Sequence, residues 1–511
     1  MTWRTYLTLA LLGFVLSFTI AQFQHFPGYL DSDYYFSGGV QLAQGRGFTE
    51  PYLWNYLDDP QGLPHPSHTY WMPLSSIIAA AGMWLTQQTD YSAGRLGFLL
   101  LAALVPVVTA ALAFDFTKRR ELAVVSGLLA VFSIYYAPFM SVTDNYGPYL
   151  LLGGLYFLTL ASRKKGSYFI LGLIAGLLTL ARSDGLLWLG ITFLAIFMRF
   201  LSDRKAAPAS INLLLALGGF LVVAGPWFWR TYSIYGTLLA PGGRYLLWLR
   251  NYDETFSYPA SQLTMQTWLA QGWPKISATW LGALKLNLLN AFAAQGGIFL
   301  LPFILIGLWQ NRRDERIRLA SIAWFGLLFV MTVIFPYAGA RGGFFHSGSA
   351  VQPIWWVLAP LGLEAVIGAA RKRNMFTPDA FKVFRGALVG IAILMTGLIF
   401  YLRVLSGWGE GEQNYPRVEA FLQQNGIHSG EVVIVRNPPG YYLMTGRPAV
   451  VLPDGDEATM LAVGARYHAG YLVIESAAAA GPIETVYNNE NSRHLIFLGE
   501  LDGTRIFKIE P

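Results

Sequence analysis

The sequence predicts a mainly α protein: a polytopic transmembrane bundle of about 11 helices followed by a small C-terminal α/β domain. Three observations carry that prediction. Of the 511 residues, 54% are hydrophobic and only 13% charged, too apolar for an ordinary soluble chain. Leucine-, alanine- and glycine-rich runs recur near the length of about 20 residues that crosses a hydrocarbon core. Lys and Arg gather in every second connection between those runs.

The apolar runs cover 5–23, 92–114, 121–140, 148–161, 167–181, 184–200, 210–229, 292–309, 318–336, 353–370 and 385–404. The runs 148–161 and 167–181 are short, which suits tilted, re-entrant or interior helices. Arg4 precedes the first run, but that run exceeds the roughly 7 to 15 apolar residues of a signal-peptide core, so a retained first helix is expected. Basic residues cluster at Arg4, Lys118 to Arg120, Arg163 to Lys165, Arg199 to Lys205, Arg312 to Arg318 and Arg371 to Arg385. These groups hold more than half of the 36 Lys and Arg residues. The positive-inside rule therefore places the N-terminus in the cytoplasm. The loops 24–91, 230–291 and 337–352 and the tail then face outward, and the net charge of +6 reports topology rather than nucleic-acid binding.

This divides the chain into a transmembrane module over 1–404 and an extracytoplasmic α/β domain over 405–511. In the tail, YPRVEAFLQQNG and DEATMLAVGARYHA carry helical patterns, while EVVIVRN, AVVLP and YLVIE resemble buried strands. HLIFLGELDGTRIFKIE, with Asp502-Gly503 between two alternating runs, predicts a hairpin. The tail has no phosphate loop, metal cluster or nucleophile signature and is expected to act as a lid or docking platform. Cysteine is absent, which decides little. Walker loops, H-E-x-x-H and G-x-S-x-G are also missing, which argues against ATP-driven and hydrolytic functions.

The chemistry concentrates in outward segments. GYLDSDYY places Asp31 and Asp33 where the first apolar run has ended. A charge near that helix's C-terminus opposes the macrodipole, so a capping role explains Asp31 poorly and a functional one is expected. The remainder of the first loop, TEPYLWNYLDDPQGLPHPSHTYWMPL, is aromatic, proline-rich and suited to a groove at headgroup depth. His65 and His68 there are candidates for phosphate binding or proton transfer, against the plainer reading of loop histidines. Asp144 in SVTDNYGPY faces the same side, with an Asx turn as the structural alternative. Arginine suits phosphate because its planar fork matches two oxygens. Arg341 in PYAGARGGFFHSGSAVQP, followed by His346 and Ser347, is the leading candidate. Arg230 in GPWFWRTYSIYG is the second, with an interfacial anchor as its alternative. Arg182 and Asp184 in LLTLARSDGLL read first as an ion pair stitching two helices and second as a substrate contact.

The acidic pair Asp31-Ser32-Asp33-Tyr34-Tyr35, followed by the helical stretch FSGGVQLAQGRGF in the first outward loop, resembles the polytopic GT-C glycosyltransferases. These include protein mannosyltransferases, the aminoarabinose transferase of lipid A, arabinosyltransferases and the Rgt-type bacterial enzymes. The resemblance covers 1–404 in topology, while the motif itself is short. It implies an inverting enzyme of the cell envelope, spanning the cytoplasmic membrane of a bacterium. Such an enzyme moves a hexosyl or pentosyl unit from a polyprenyl-phosphate donor to a hydroxyl of a lipid, glycan or protein on the outer face. Asp31 would then be the catalytic base. Asp33, Tyr34, His65, His68, Asp144, Arg230, Arg341, His346 and Ser347 would bind donor or acceptor. P-W-x-x-R, ending in Arg230, and a second acid at Asp144 also occur in relatives. No cofactor is expected; a divalent cation at Asp31 and Asp33 is the less favoured alternative, since no other set with ligand spacing accompanies them. A transporter or lipid flippase and an oligosaccharide ligase are the competing readings. Against the first stands the lack of an internal repeat.

Overall fold

The computed structural model describes residues 1–162, 164–202, 209–377, 379–490 and 492–510. Arg163, Arg204 and Lys205 of the basic groups lie outside the described residues. Among the described residues, seven helices are long and apolar enough to cross a membrane, and four apolar helices are shorter. The first, Trp3–Ala21, turns Leu7, Leu11, Val15 and Phe18 outward, as a lipid-facing helix does. The interior is built on large aromatic residues, with Tyr149, Tyr156, Phe157, Trp188 and Trp356 fully buried among the central helices.

Two spans differ from the sequence expectation. The run 121–140 is α-helical only over Arg120–Val131, with a short 3-10 turn at Ala137–Phe139. Ile134 takes a left-handed backbone conformation, and its N–H receives no helical partner but donates to Thr396 Oγ1 at 3.1 Å. The run 292–309 breaks at Gly297 and Ile298, both with positive φ, and resumes as Leu301–Asn311. It is preceded by an 18-residue helix, Trp273–Asn290, inside the segment 230–291 expected to be loop. That helix exposes Leu281, Leu286, Leu288 and Leu289, but its intervening Lys and Asn residues hid the apolar face from a simple hydropathy reading.

The first loop is also more ordered than its composition suggests, holding the helices Leu30–Ala43 and Leu74–Thr86 packed side by side. The chain enters the first of these through Gly28, whose φ of 89° excludes other residues and whose missing side chain leaves room for the Trp408 indole. Trp408 Nε1 donates to the Phe26 carbonyl at 3.0 Å, so the end of the last membrane helix holds the start of this loop.

The tail elements form as patterned: helices Tyr415–Gln424 and Glu457–Tyr467, strands Val432–Val435, Ala449–Val451 and Ala469–Glu475, and a hairpin Leu495–Leu501 with Thr504–Ile509. The first three strands run parallel and the hairpin adds antiparallel to Ala469–Glu475. The sheet is not built by the tail alone. Tyr52–Leu53, from the first loop, pairs parallel with Ala449–Val451 at the edge. Ser257 of the segment between membrane helices bridges to Asp454 at the carboxyl end of the neighbouring strand.

Candidate active site

Helix Leu30–Ala43 begins at Leu30, so Asp31 and Asp33 occupy its first turn. The expectation that Asp31 sits at a helix C-terminus is therefore corrected: Trp3–Ala21 has already ended, and the macrodipole of the second helix favours a carboxylate there. Residues two apart on a helix point about 200° from one another, so the two carboxyls face opposite ways.

Asp31 faces a cluster assembled from three loops. His346 Nε2 lies 3.9 Å from Asp31 Oδ2, and His346 Nδ1 lies 3.8 Å from Asp144 Oδ1. Nδ1 is hydrogen-bonded to Asn145 Oδ1 at 2.8 Å; that oxygen only accepts, so Nδ1 carries the proton and Nε2 presents its lone pair toward Asp31. The imidazole stacks on Tyr146 with centroids 4.0 Å apart. Asp144 is held by the Tyr29 hydroxyl and the Asn145 N–H, each at 2.5 Å. Burial, then the charge of Asp144, pushes Asp31 up to about 7. Burial raises Asp144 to about 6, against its bonds to Tyr29 and Asn145. Burial and the nearby Arg182 hold His346 well below its ordinary value, so the ring is neutral. Asp31 alone of the three keeps a substantially open side chain, 29% exposed against 0% for Asp144 and 11% for His346.

Arg182 and Asp184 form the expected ion pair, at 3.2 Å. They also belong to the surroundings of the cluster. The Arg182 charge bears on Asp31, Asp144 and His346, and Tyr149 donates to Asp184 at 2.7 Å. Arg341 is exposed and lies 4.5 Å over the Tyr252 ring, in a turn that Gly342 closes with a φ of 117°. Among the described residues it has no carboxylate partner. The electrostatic neighbours of Tyr252 are Asp31, Arg341, Asp253 and Arg436 of the tail.

Other expected contacts are redirected. Asp33 is fully buried; its Oδ2 accepts from Asn437 Nδ2 at 2.8 Å. Burial and the adjoining Glu412 raise it well above the carboxylate range, since two buried carboxyls in contact cannot both ionise. It fastens the tail and is neither in contact with the Asp31 cluster nor placed to share a cation with Asp31. Tyr34 is buried, and its hydroxyl accepts the His68 N–H at 2.6 Å. His68 is enclosed by Ser67 and Ser76 at 2.7 and 2.9 Å; burial and Arg230 lower it to about 3, which leaves no cation for phosphate. His65 is buried against Glu50 at 3.0 Å, which raises its pKa despite the opposing burial. Arg230 stacks 4.6 Å over Trp227 and donates to the carbonyls of Phe48 and Ser67 at 2.9 and 3.2 Å, anchoring the loop. Ser347 is buried, its hydroxyl between Asp184 and the Gly343 carbonyl. Tyr34, His65 and His68 are withdrawn from open surface because the aromatic first loop folds over its own polar groups.

Asn145, Tyr29, Tyr252, Glu412 and Asn437 were not singled out from the sequence. Only Asn145 had a local signal, its place beside Asp144 in TDNYG. The cluster also corrects the view that no ligand set accompanies Asp31. One donor atom each from Asp31, Asp144 and His346 lies within 4.8 Å of the others, and two carboxylates with a bare imidazole nitrogen suit a divalent cation.

No family model matches the chain, and no curated protein matches it by sequence. Solved structures do match. ArnT from Cupriavidus metallidurans bound to undecaprenyl phosphate superposes with a TM-score of 0.58 at 12% identity, covering 98% of this chain and 97% of that one. The archaeal oligosaccharyltransferase AglB from Archaeoglobus fulgidus, in complex with an inhibitory peptide and a dolichol-phosphate, gives 0.53 at 13% identity, covering 100% of this chain and 75% of its own.

Proposed function

From the premise that this chain has the GT-C fold, which those two structures share, we propose that it is a multi-pass membrane glycosyltransferase. It moves a single sugar from a polyprenyl-phosphate donor to an acceptor hydroxyl, with inversion. The observation that carries the reading is Asp31: an accessible carboxyl, pushed up to about 7, at the edge of a buried polar cluster and within the field of Arg182. Such a group is half ionised near neutral pH and suited to take a proton. The acceptor oxygen attacks the anomeric carbon, Asp31 takes its proton, and the carbon–oxygen bond to phosphate breaks with the electron pair leaving on the phosphate. Arg341 supplies positive charge for that leaving group from the open side, and Arg182 adds to the field from beneath. Undecaprenyl phosphate is bound in the ArnT structure and a dolichol-phosphate in the AglB structure, which supports the donor class. The basic groups support an outward-facing site in the cytoplasmic membrane.

Asp31, Asp144 and His346 fit a divalent cation, which when bound would supply Lewis-acid neutralisation of the phosphate. Asp31 would then serve as ligand as well as proton acceptor.

The test is turnover of radiolabelled polyprenyl-phosphate sugars by the purified wild type and Asp31→Asn, with and without EDTA. The expected result is wild-type turnover and an inactive variant that still binds donor. Full activity in Asp31→Asn removes it as base. A wild type that turns over no donor favours the transporter reading. Loss on EDTA, restored by added cation, establishes a divalent-cation requirement.

A further inference from the structure

Helices Leu301–Asn311 and Glu315–Phe329 diverge from a tight turn, and the cleft between them, about 420 Å³, has an unusual lining. Its walls are the exposed apolar side chains Leu305, Trp309 and Ile322, and its mouth carries Arg312, Arg318 and Ser321. Arg312 is already oriented: its guanidinium stacks 4.2 Å over Trp309, and Nη1 donates to the Trp309 carbonyl at 2.6 Å, leaving its other N–H groups free of that bond.

Among the described residues, no carboxylate compensates the charge here. Nearby carboxylates are taken: Asp314 pairs with Arg316 at 3.4 Å, Asp115 with Arg316 at 2.8 Å, and Glu315 with Arg199 at 2.7 Å. Among the described residues, Arg312 and Arg318 have no ion-pair partner. Two free guanidinium groups above an apolar, membrane-exposed slot form the complement of an anionic headgroup with acyl chains below it. The helix that carries Arg318 continues to Ile334, shortly before Arg341 and His346 in the chain, and at 1.5 Å per residue its far end lies about 25 Å along the axis from Arg318. The cleft therefore opens at the opposite end of the bundle from the sugar-transfer site.

We propose that this cleft is a binding site for an anionic glycerophospholipid, its phosphodiester held between Arg312 and Arg318 and its chains on Leu305, Trp309 and Ile322. A plain snorkelling anchor would attract anionic lipid as any other basic helix end does, without retaining a defined adduct.

Thermal unfolding of the full chain in detergent, titrated with dioleoyl-phosphatidylglycerol or dioleoyl-phosphatidylcholine, tests this, with native mass spectrometry counting retained lipids. Phosphatidylglycerol is expected to stabilise and to leave a resolved adduct, while phosphatidylcholine does neither. Arg318→Gln alters an exposed, unpaired residue and should raise the half-maximal lipid concentration about fivefold, and Arg312→Gln with Arg318→Gln about 25-fold, from about 1 kcal/mol for each basic side chain. Lys372→Gln, at another basic helix end, should leave the titration unchanged. Equal stabilisation by the two lipids, an undiminished adduct in the double variant, or equal stabilisation by inorganic phosphate overturns the proposal.

Discussion

The two faces of helix Leu30–Ala43 put the same functional group to opposite uses. On one face Asp31 stays partly exposed beside His346 and Asp144. On the other Asp33 is sealed against Asn437 and Glu412 and joins the first loop to the tail. Both carboxyls are raised by burial, so a shifted pKa does not separate a reactive acid from a structural one; access and neighbours do. The helix therefore joins the polar cluster on one face to the tail on the other, and the tail sheet also takes a strand from the first loop.

The sharpest way to break this comparison is to make the same substitution on each face. Asp31→Asn should cost about 100- to 10,000-fold in turnover, the usual worth of a general base. Asp33→Asn should keep turnover within about tenfold, because an amide reproduces a protonated carboxyl toward Asn437 and Glu412. Assays of both variants on one donor check it; equal losses would place Asp33 in the chemistry.

The arginines extend the contrast. Arg341→Ala should weaken donor binding about tenfold with expression and melting temperature unchanged, because the side chain is exposed and has no carboxylate partner among the described residues. Arg230→Ala should do the reverse, lowering the melting temperature as the Phe48 and Ser67 carbonyls lose the guanidinium that ties them to the helix. Unchanged affinity for a polyprenyl-phosphate sugar in Arg341→Ala would remove it from the site.

For the seal itself, Asp33→Leu should cost about 1–3 kcal/mol by stranding the Asn437 amide, and limited proteolysis should release the tail faster than in Asp33→Asn. Identical cleavage rates would show that the tail docks without Asp33.

What the sequence disclosed follows from range. The apolar runs and the tail strands are encoded by neighbouring residues, so periodicity finds them, as with the Asp502-Gly503 hairpin. The cluster joins residues 31, 144 and 346 from three loops, and no local pattern records that meeting. The pairing of Asp31 with Asp33 misled in a different way: a D-x-D spelling reads as one chelating unit in an extended segment, but on a helix it splits across two faces. His65, His68 and Arg230 have the right chemistry for phosphate and are used up by Glu50, Ser76 and backbone carbonyls instead.

The finest cut is made by pH, on protein stripped of metal with EDTA. A base works only when deprotonated, so turnover should rise with pH through about 7, where Asp31 is held by burial and by the charge of Asp144. Asp144→Asn removes that charge and leaves the burial, so the rise should move to lower pH. The same raised value has a stability consequence of opposite sense. A carboxyl whose folded value lies above its unfolded value of 3.8 stabilises the fold below that pH and loses the contribution as pH climbs to about 7. Wild-type melting temperature should therefore fall across pH 4 to 7 by more than that of Asp31→Asn, which has nothing to ionise at this position. A pH–rate profile unmoved by Asp144→Asn, together with parallel melting curves for Asp31→Asn and wild type, would show that Asp31 is an ordinary solvated carboxylate, and the functional difference between the two faces of the helix would disappear with it.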